Sequence, residues 1–118
     1  MISPFTIGAL LAVAAAAGAL LRYVIGELAN VAVPFGTLAV NLAASFLLGL
    51  VAQAEDPIPV VVGIGALGAL STWSTAADET ATLARDGEGR LAAAYLALTV
   101  TSGIVAAWLG LVIGRAVF

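Results

Sequence analysis

Four stretches of this chain carry no charged side chain: Ile2 to Leu21, Asn30 to Ala54, Pro57 to Ala77 and Leu91 to Gly114. Each is long enough to cross a hydrocarbon layer as a helix, which takes roughly 20 predominantly apolar residues. Of the 118 residues 9% are charged and 63% are apolar, whereas about 25% are charged in a soluble domain. A water-soluble globule is thereby excluded. The chain reads as an all-α membrane protein, a single domain of four transmembrane helices over residues 1–118 with almost nothing left over.

With no Cys and no His, disulfides, thiolate nucleophiles, zinc clusters, imidazole bases and most transition-metal sites fall away. Four Arg, no Lys and seven acids leave no basic patch to neutralise phosphates, so nucleic acid is not an expected partner. The glycines form no phosphate loop, because neither Lys nor the required spacing is present. No enzymatic chemistry is indicated, and the surroundings expected are a lipid bilayer, that of the cell membrane.

The small residues Ala14 to Ala17 imitate the end of a secretory signal. No basic segment precedes them and the apolar run is long, so the first stretch is read as a membrane helix. Asn30 and Pro34 suit the start of the second helix. Glu55, Asp56 and Pro57 make a polar hairpin, and Arg85 to Arg90 form the one clearly solvated loop. Connections this short make successive helices antiparallel and return both termini to one side. Arg85, Arg90 and Arg22 mark one side and Arg115 the other, which sets both termini outside if Arg stays cytoplasmic.

The third stretch differs from the others. Gly63, Gly65 and Gly68 lead into Ser71, Thr72, Trp73, Ser74 and Thr75, and each Gly weakens a helix by about 1 kcal/mol. One reading is a helix broken near mid-span, tolerated only where freed backbone groups face protein, water or an ion. The other is a continuous helix with glycines for close packing and hydroxyls bonded to their own turn. Elsewhere Ala14 with Gly18, and Ala106 with Gly110 and Gly114, recur at four-residue spacing and are read as tight helix contacts.

Arg22 either snorkels from a helix end or attracts anions at the mouth of an aqueous path. Thr37, Asn41 and Ser45 share one face of the second helix; Tyr95 and Thr99 repeat the spacing in the fourth, with Ser102 and Gly103 a turn later. Such stripes serve as hydrogen-bonding glue or offer O–H and N–H groups to a small anion stripped of water. Trp108 suits an interfacial anchor, while Trp73, set among hydroxyls, suits a pore or packing position where its ring edge can face an anion. Every acid is expected at a helix end or in a loop, which leaves a proton-coupled antiporter without its embedded carboxylate.

Gly18-Ala19-Leu20-Leu21-Arg22-Tyr23, Gly36-Thr37 through Asn41, Ser45-Phe46-Leu47-Leu48-Gly49, and Gly68 through Thr75 ending in Glu79 together resemble the small fluoride channel family, Fluc or CrcB. Tyr95, Thr99, Gly103 and Gly110 continue the likeness. The resemblance implies a passive, fluoride-selective channel that relieves fluoride toxicity, built as an antiparallel (inverted) dimer with two narrow fluoride paths. It also implies a structural sodium ion at the dimer interface, held by main-chain carbonyls of Gly68 and Ser71 at the third-helix breaks. Asn41, Thr37, Trp73, Ser74, Thr75, Tyr95 and Thr99 would belong to the anion path, and Arg22 would be the vestibule cation. Glu79 matches a carboxylate for which the residues suggest no role.

Where the family's third helix carries two phenylalanines three residues apart, this chain has Trp73 and Ala76. The family also contains paired relatives of fixed orientation. With the Arg bias, the expectation is a homologous partner, one conducting path and one vestigial path at Ala76, with Ala76→Phe changing little. Pairing with itself, a non-conducting subunit that completes a partner's fold, and a small multidrug-type proton antiporter are the alternatives.

Overall fold

The computed structural model describes residues 1–31 and 33–118; Ala32, inside the expected first turn, lies outside them. Among the described residues every regular element is helical. They are α1 (Pro4–Ala29), α2 (Phe35–Val51), a π-helical segment (Pro59–Leu67) that passes into the single turn α3 (Gly68–Leu70), α4 (Trp73–Arg85) and α5 (Gly89–Val117). Pro4–Ala29, Pro59–Arg85 and Gly89–Val117 are long and apolar enough to cross a membrane, and α2 is a shorter apolar helix of 17 residues. At 1.5 Å per residue α2 extends about 25 Å, near the lower limit for a spanning helix. This is the architecture of a multi-pass membrane protein.

Local chemistry sets the helix ends. Ser3 opens α1 by accepting the Thr6 N–H on its hydroxyl at 3.1 Å, with Pro4 in the first helical position. No breaker follows Leu21, so α1 continues to Ala29 and carries Arg22 and Glu27 within the helix. Asn30 does not start α2, as expected, but closes α1, its N–H bonding Gly26 O at 3.0 Å. Its side chain still serves α2, accepting the Thr37 N–H on Oδ1 at 3.0 Å.

Small residues make the contacts between helices, while Leu20, Leu28, Ile104 and Val117 face outward. A methyl group on Gly18 would collide with the Ala66 carbonyl, one on Gly110 with the Phe46 carbonyl, and one on Gly49 with the Ala107 carbonyl. The expected small-residue contacts are therefore present. They also fix a register: Ser45 stands by Gly103, Phe46 and Leu50 by Gly110, and Leu50 by Gly114. Numbers rise together along both helices, so α2 and α5 run parallel, as two successive antiparallel steps require.

The third crossing is broken. Beyond Leu70 the chain is extended at Ser71 (φ −73°, ψ 151°) and Thr72 (φ −152°, ψ 114°), and α4 then restarts with Thr72 as its N-cap. The Thr72 hydroxyl accepts the Thr75 N–H at 3.1 Å. Ahead of the break the backbone is π-helical, a form common as a local bulge at functional sites and not foreseeable from glycine content. There Gly65 lets α1 close in, since a Cβ on it would lie 3.2 Å from both the Ala14 Cβ and the Leu11 carbonyl.

Ala76 is 0% exposed and belongs to the core between α4 and α5 with Leu83, Ala92 and Tyr95. Ala76→Phe therefore carries a packing cost of its own, apart from any effect on a path. Gly110→Val and Ala76→Phe should each lower the thermal midpoint in detergent, by the roughly 1–3 kcal/mol that overpacking a filled contact costs. Gly8→Ala, whose methyl meets nothing within 4 Å, should not. Unshifted midpoints for the first two would mean that these contacts are loose.

Candidate functional site

A helix broken inside an apolar span strands backbone donors and acceptors, each costly to leave unpaired. Asn41 meets the need from α2. Its Nδ2 donates to Thr72 O at 3.0 Å and its Oδ1 accepts the Thr72 N–H at 2.6 Å. In an unbroken helix that N–H would bond the Gly68 carbonyl; here Gly68 O receives only a long contact from the Ser71 hydroxyl at 3.5 Å. The break thus keeps one amide proton of Asn41 and the Gly68 carbonyl available.

A second polar cluster surrounds Glu79. Its Oε1 accepts from Thr37 Oγ1 at 2.8 Å and Asn30 Nδ2 at 3.2 Å, and its Oε2 accepts from the Tyr95 hydroxyl at 2.9 Å. Asn30 Nδ2 also donates to Thr37 Oγ1 at 3.1 Å. Contrary to the expectation that acids sit only at helix ends or in loops, Glu79 lies within α4 and is half-buried. Sequence reasoning missed both Glu79 and Asn30 as a pair. The available signal was a carboxylate with Thr75 and Leu83 at its four-residue helix neighbours, hence no cation on its own helix to pair with.

Two cavities hold most of the expected site residues. The outer one, about 520 Å³, is lined by Arg22, Tyr23, Gly26, Glu27, Asn30, Thr37 and Thr75. Arg22 therefore faces the same space as Glu27, whose charge tempers its pull on anions. The inner one, about 420 Å³, is lined by Asn41, Ser45, Ser71, Thr72, Trp73, Thr99 and Gly103, with Val100, Ile104 and Ala107 as apolar wall. Thr72 links the two spaces, donating from Oγ1 to Thr75 Oγ1 at 2.9 Å. Ser74 is exposed, its hydroxyl 3.3 Å from Thr72 Oγ1. Tyr95 is buried behind the cavities, its hydroxyl committed to Glu79. Gly68 is exposed at the break.

Hydroxyl accounting separates Thr99 from the rest. Threonine in a helix ordinarily bonds back to the carbonyl four residues earlier, as Thr80 does to Ala76 O, Thr82 to Asp78 O and Thr101 to Ala97 O. Thr99 is buried at 8% exposure, and among the described residues its Oγ1 makes no hydrogen bond. Its polar neighbour is Tyr95, whose hydroxyl donates to Glu79 while its oxygen stays open to the Thr99 proton. A buried hydroxyl left unpaired costs about 1–3 kcal/mol, so Thr99 draws an acceptor to itself, either the Tyr95 oxygen or a ligand in the cavity.

The family described as CrcB-like protein, Camphor Resistance (CrcB), matches residues 9–111 of the chain. Fluoride-specific ion channel FluC 1 of Frankia casuarinae is 43% identical, covering 88% of this chain and 92% of its own. Fluoride-specific ion channel FluC 2 of Corynebacterium diphtheriae is 39% identical, covering 83% and 91%. Fluoride-specific ion channel FluC of Vibrio vulnificus is 36% identical, covering 92% and 94%.

The Glu79 cluster makes a stability prediction. Glu79→Ala leaves three donors without their acceptor and should lower the thermal midpoint by an amount equivalent to about 2 kcal/mol or more. Glu79→Gln keeps one acceptor oxygen and should cost less. Equal midpoints for wild type and Glu79→Ala would show that the cluster adds nothing to the fold.

Proposed function

Because the chain belongs to the CrcB family, we propose that it forms a fluoride-specific ion channel, and not an enzyme, that lets fluoride leave the cell passively. The observation that carries this reading is the buried Thr99 hydroxyl, bonded to no backbone carbonyl among the described residues, in a cavity where Asn41 keeps a spare amide proton. Fluoride is small and strongly hydrated, so its passage needs short-range donors that replace water. Donors on a neutral amide and hydroxyls suit an anion, and the break that Asn41 secures sets them at mid-span.

Arg22 gathers anions in the outer cavity with Thr75, Thr37 holds Glu79 at its wall, and Trp73, Asn41 and Thr99 take the ion inward; shared cavity walls support these roles. Ser74 and Tyr95 hold the flanks of this path, through Thr72 and Glu79 respectively. Fluoride enters an acid-exposed cell as neutral hydrogen fluoride and dissociates inside. The membrane potential then drives the anion out with no nucleotide, which relieves toxicity at the cell membrane.

The working unit in this reading is an inverted dimer, with a homologous second subunit favoured over a second copy. Trp73 supports a second chain, since it lines the inner cavity yet remains 63% exposed on one chain. The uneven Arg distribution supports a fixed orientation, which denies the chain an inverted copy of itself. A sodium ion suits the interface: Gly68 O lacks its helical partner, and Gly68 is exposed. Carbonyl oxygens of Gly68 and Ser71 from both subunits are the hard donors such a cation takes. The ion would supply positive charge that ties the two breaks together.

Fluoride efflux from proteoliposomes, measured for the chain alone and co-expressed with a homologue, tests the reading. Fluoride should leave at an applied potential while chloride stays; equal chloride efflux would defeat the proposal. Thr99→Val is the discriminating variant. Among the described residues the Thr99 hydroxyl makes no well-formed hydrogen bond and has only the Tyr95 oxygen beside it, so the thermal midpoint should hold within about 1 kcal/mol while fluoride flux falls about tenfold, the worth of one hydrogen bond to an ion.

A further inference from the structure

The polar stripes of α2 and α5 form a ladder, because the helices are parallel and each repeats at four-residue spacing. On the first rung Thr37 and Tyr95 meet through Glu79, at 2.8 and 2.9 Å. On the second, Asn41 and Thr99 line one cavity. On the third, Ser45 faces Gly103, where an added Cβ would lie 3.7 Å from Ser45 Oγ. On the fourth, Gly49 presses on the Ala107 carbonyl and the helices close backbone to backbone.

The third rung is thus the last with a polar side chain before closure, and only α2 supplies it. Gly103 leaves open the volume that a side chain on α5 would take, and both Ser45 and Gly103 line the inner cavity that holds the buried Thr99 hydroxyl. We propose that Ser45 Oγ is a further fluoride-binding group, which donates to the ion beyond Thr99 and is the terminal donor of the ladder. Gly103 is its complement: the missing side chain makes room for the ion at Ser45. This rests on the channel reading above, with the ion moving from a rung with donors on both helices to a rung with a donor on α2 alone.

The position of the donor can be exchanged between helices, and that exchange is the test. Ser45→Ala, Gly103→Ser and the double variant are reconstituted with the same partner subunit as the wild type, and fluoride efflux and thermal midpoint are measured for each. Ser45→Ala should conduct about tenfold more slowly with little change in midpoint. The double variant should return to within about twofold of wild type, because Ser45→Ala vacates the Oγ that a Cβ on Gly103 would touch at 3.7 Å, leaving that volume to the new hydroxyl. A conducting wild type that is indifferent to Ser45→Ala overturns this assignment and leaves the channel reading intact. Failure of Gly103→Ser to rescue Ser45→Ala overturns it too, and marks Ser45 as a packing residue. A wild type silent both alone and with its partner overturns the channel reading, and the assignment with it.

Discussion

Thr72 carries an N–H and a C=O that neither half of the broken third crossing can use, and Asn41 supplies a partner for both. Without that side chain, two backbone groups would stand unpaired in an apolar span, at several kcal/mol each. Much of the interior follows from this pairing. It holds Thr72 extended, which frees its hydroxyl to cap α4 through the Thr75 N–H. The restart sets the rotation of α4, which turns Ala76 into the core and Glu79 toward Thr37, Asn30 and Tyr95.

Asn41 can reach Thr72 only because α2 is held in place by its other neighbour. Gly49, Gly110 and Gly114 bring α2 and α5 together at backbone distance. In lipid there is no hydrophobic drive to join helices, so such close van der Waals contact carries the association. The same contact sets the polar stripes side by side. Structural glue and the proposed ion path are therefore one arrangement: glycines choose the register, and the register decides which donors face one another.

How much of this could be read in the sequence follows from how local each cause is. The spans were legible because the absence of charge over some 20 residues is a property of the stretch itself. The small-residue contacts were legible for the same reason, since four-residue spacing fixes a face. The break was left open, because the glycine penalty of about 1 kcal/mol per site does not decide it; the deciding partner, Asn41, lies 31 residues away. Glu79 was opaque because its donors come from three places, the end of α1, α2 and α5. The burial of Ala76 was opaque because it depends on the rotation of α4, which the break sets. From the sequence Asn30 suits the start of α2, where its side chain does act, while its backbone finishes α1.

A carboxylate beside an anion path would repel the ion unless its charge were answered. Glu79 has no cation at its three- or four-residue neighbours on α4, but both of its oxygens are occupied by donors, two of them on Oε1. The consequence falls on the donors. The Thr37 and Tyr95 hydroxyl protons point at Glu79, so neither is free for an ion arriving from the outer cavity. At the second rung the opposite holds: among the described residues the Thr99 proton meets only the Tyr95 oxygen, and the Asn41 amide has one proton to spare. On the proposed path, an anion drawn in by Arg22 therefore keeps its water past the first rung and exchanges it at the second, beside the break. Thr37 and Tyr95 act there by holding the carboxylate still, and Asn41 and Thr99 by taking the place of the water.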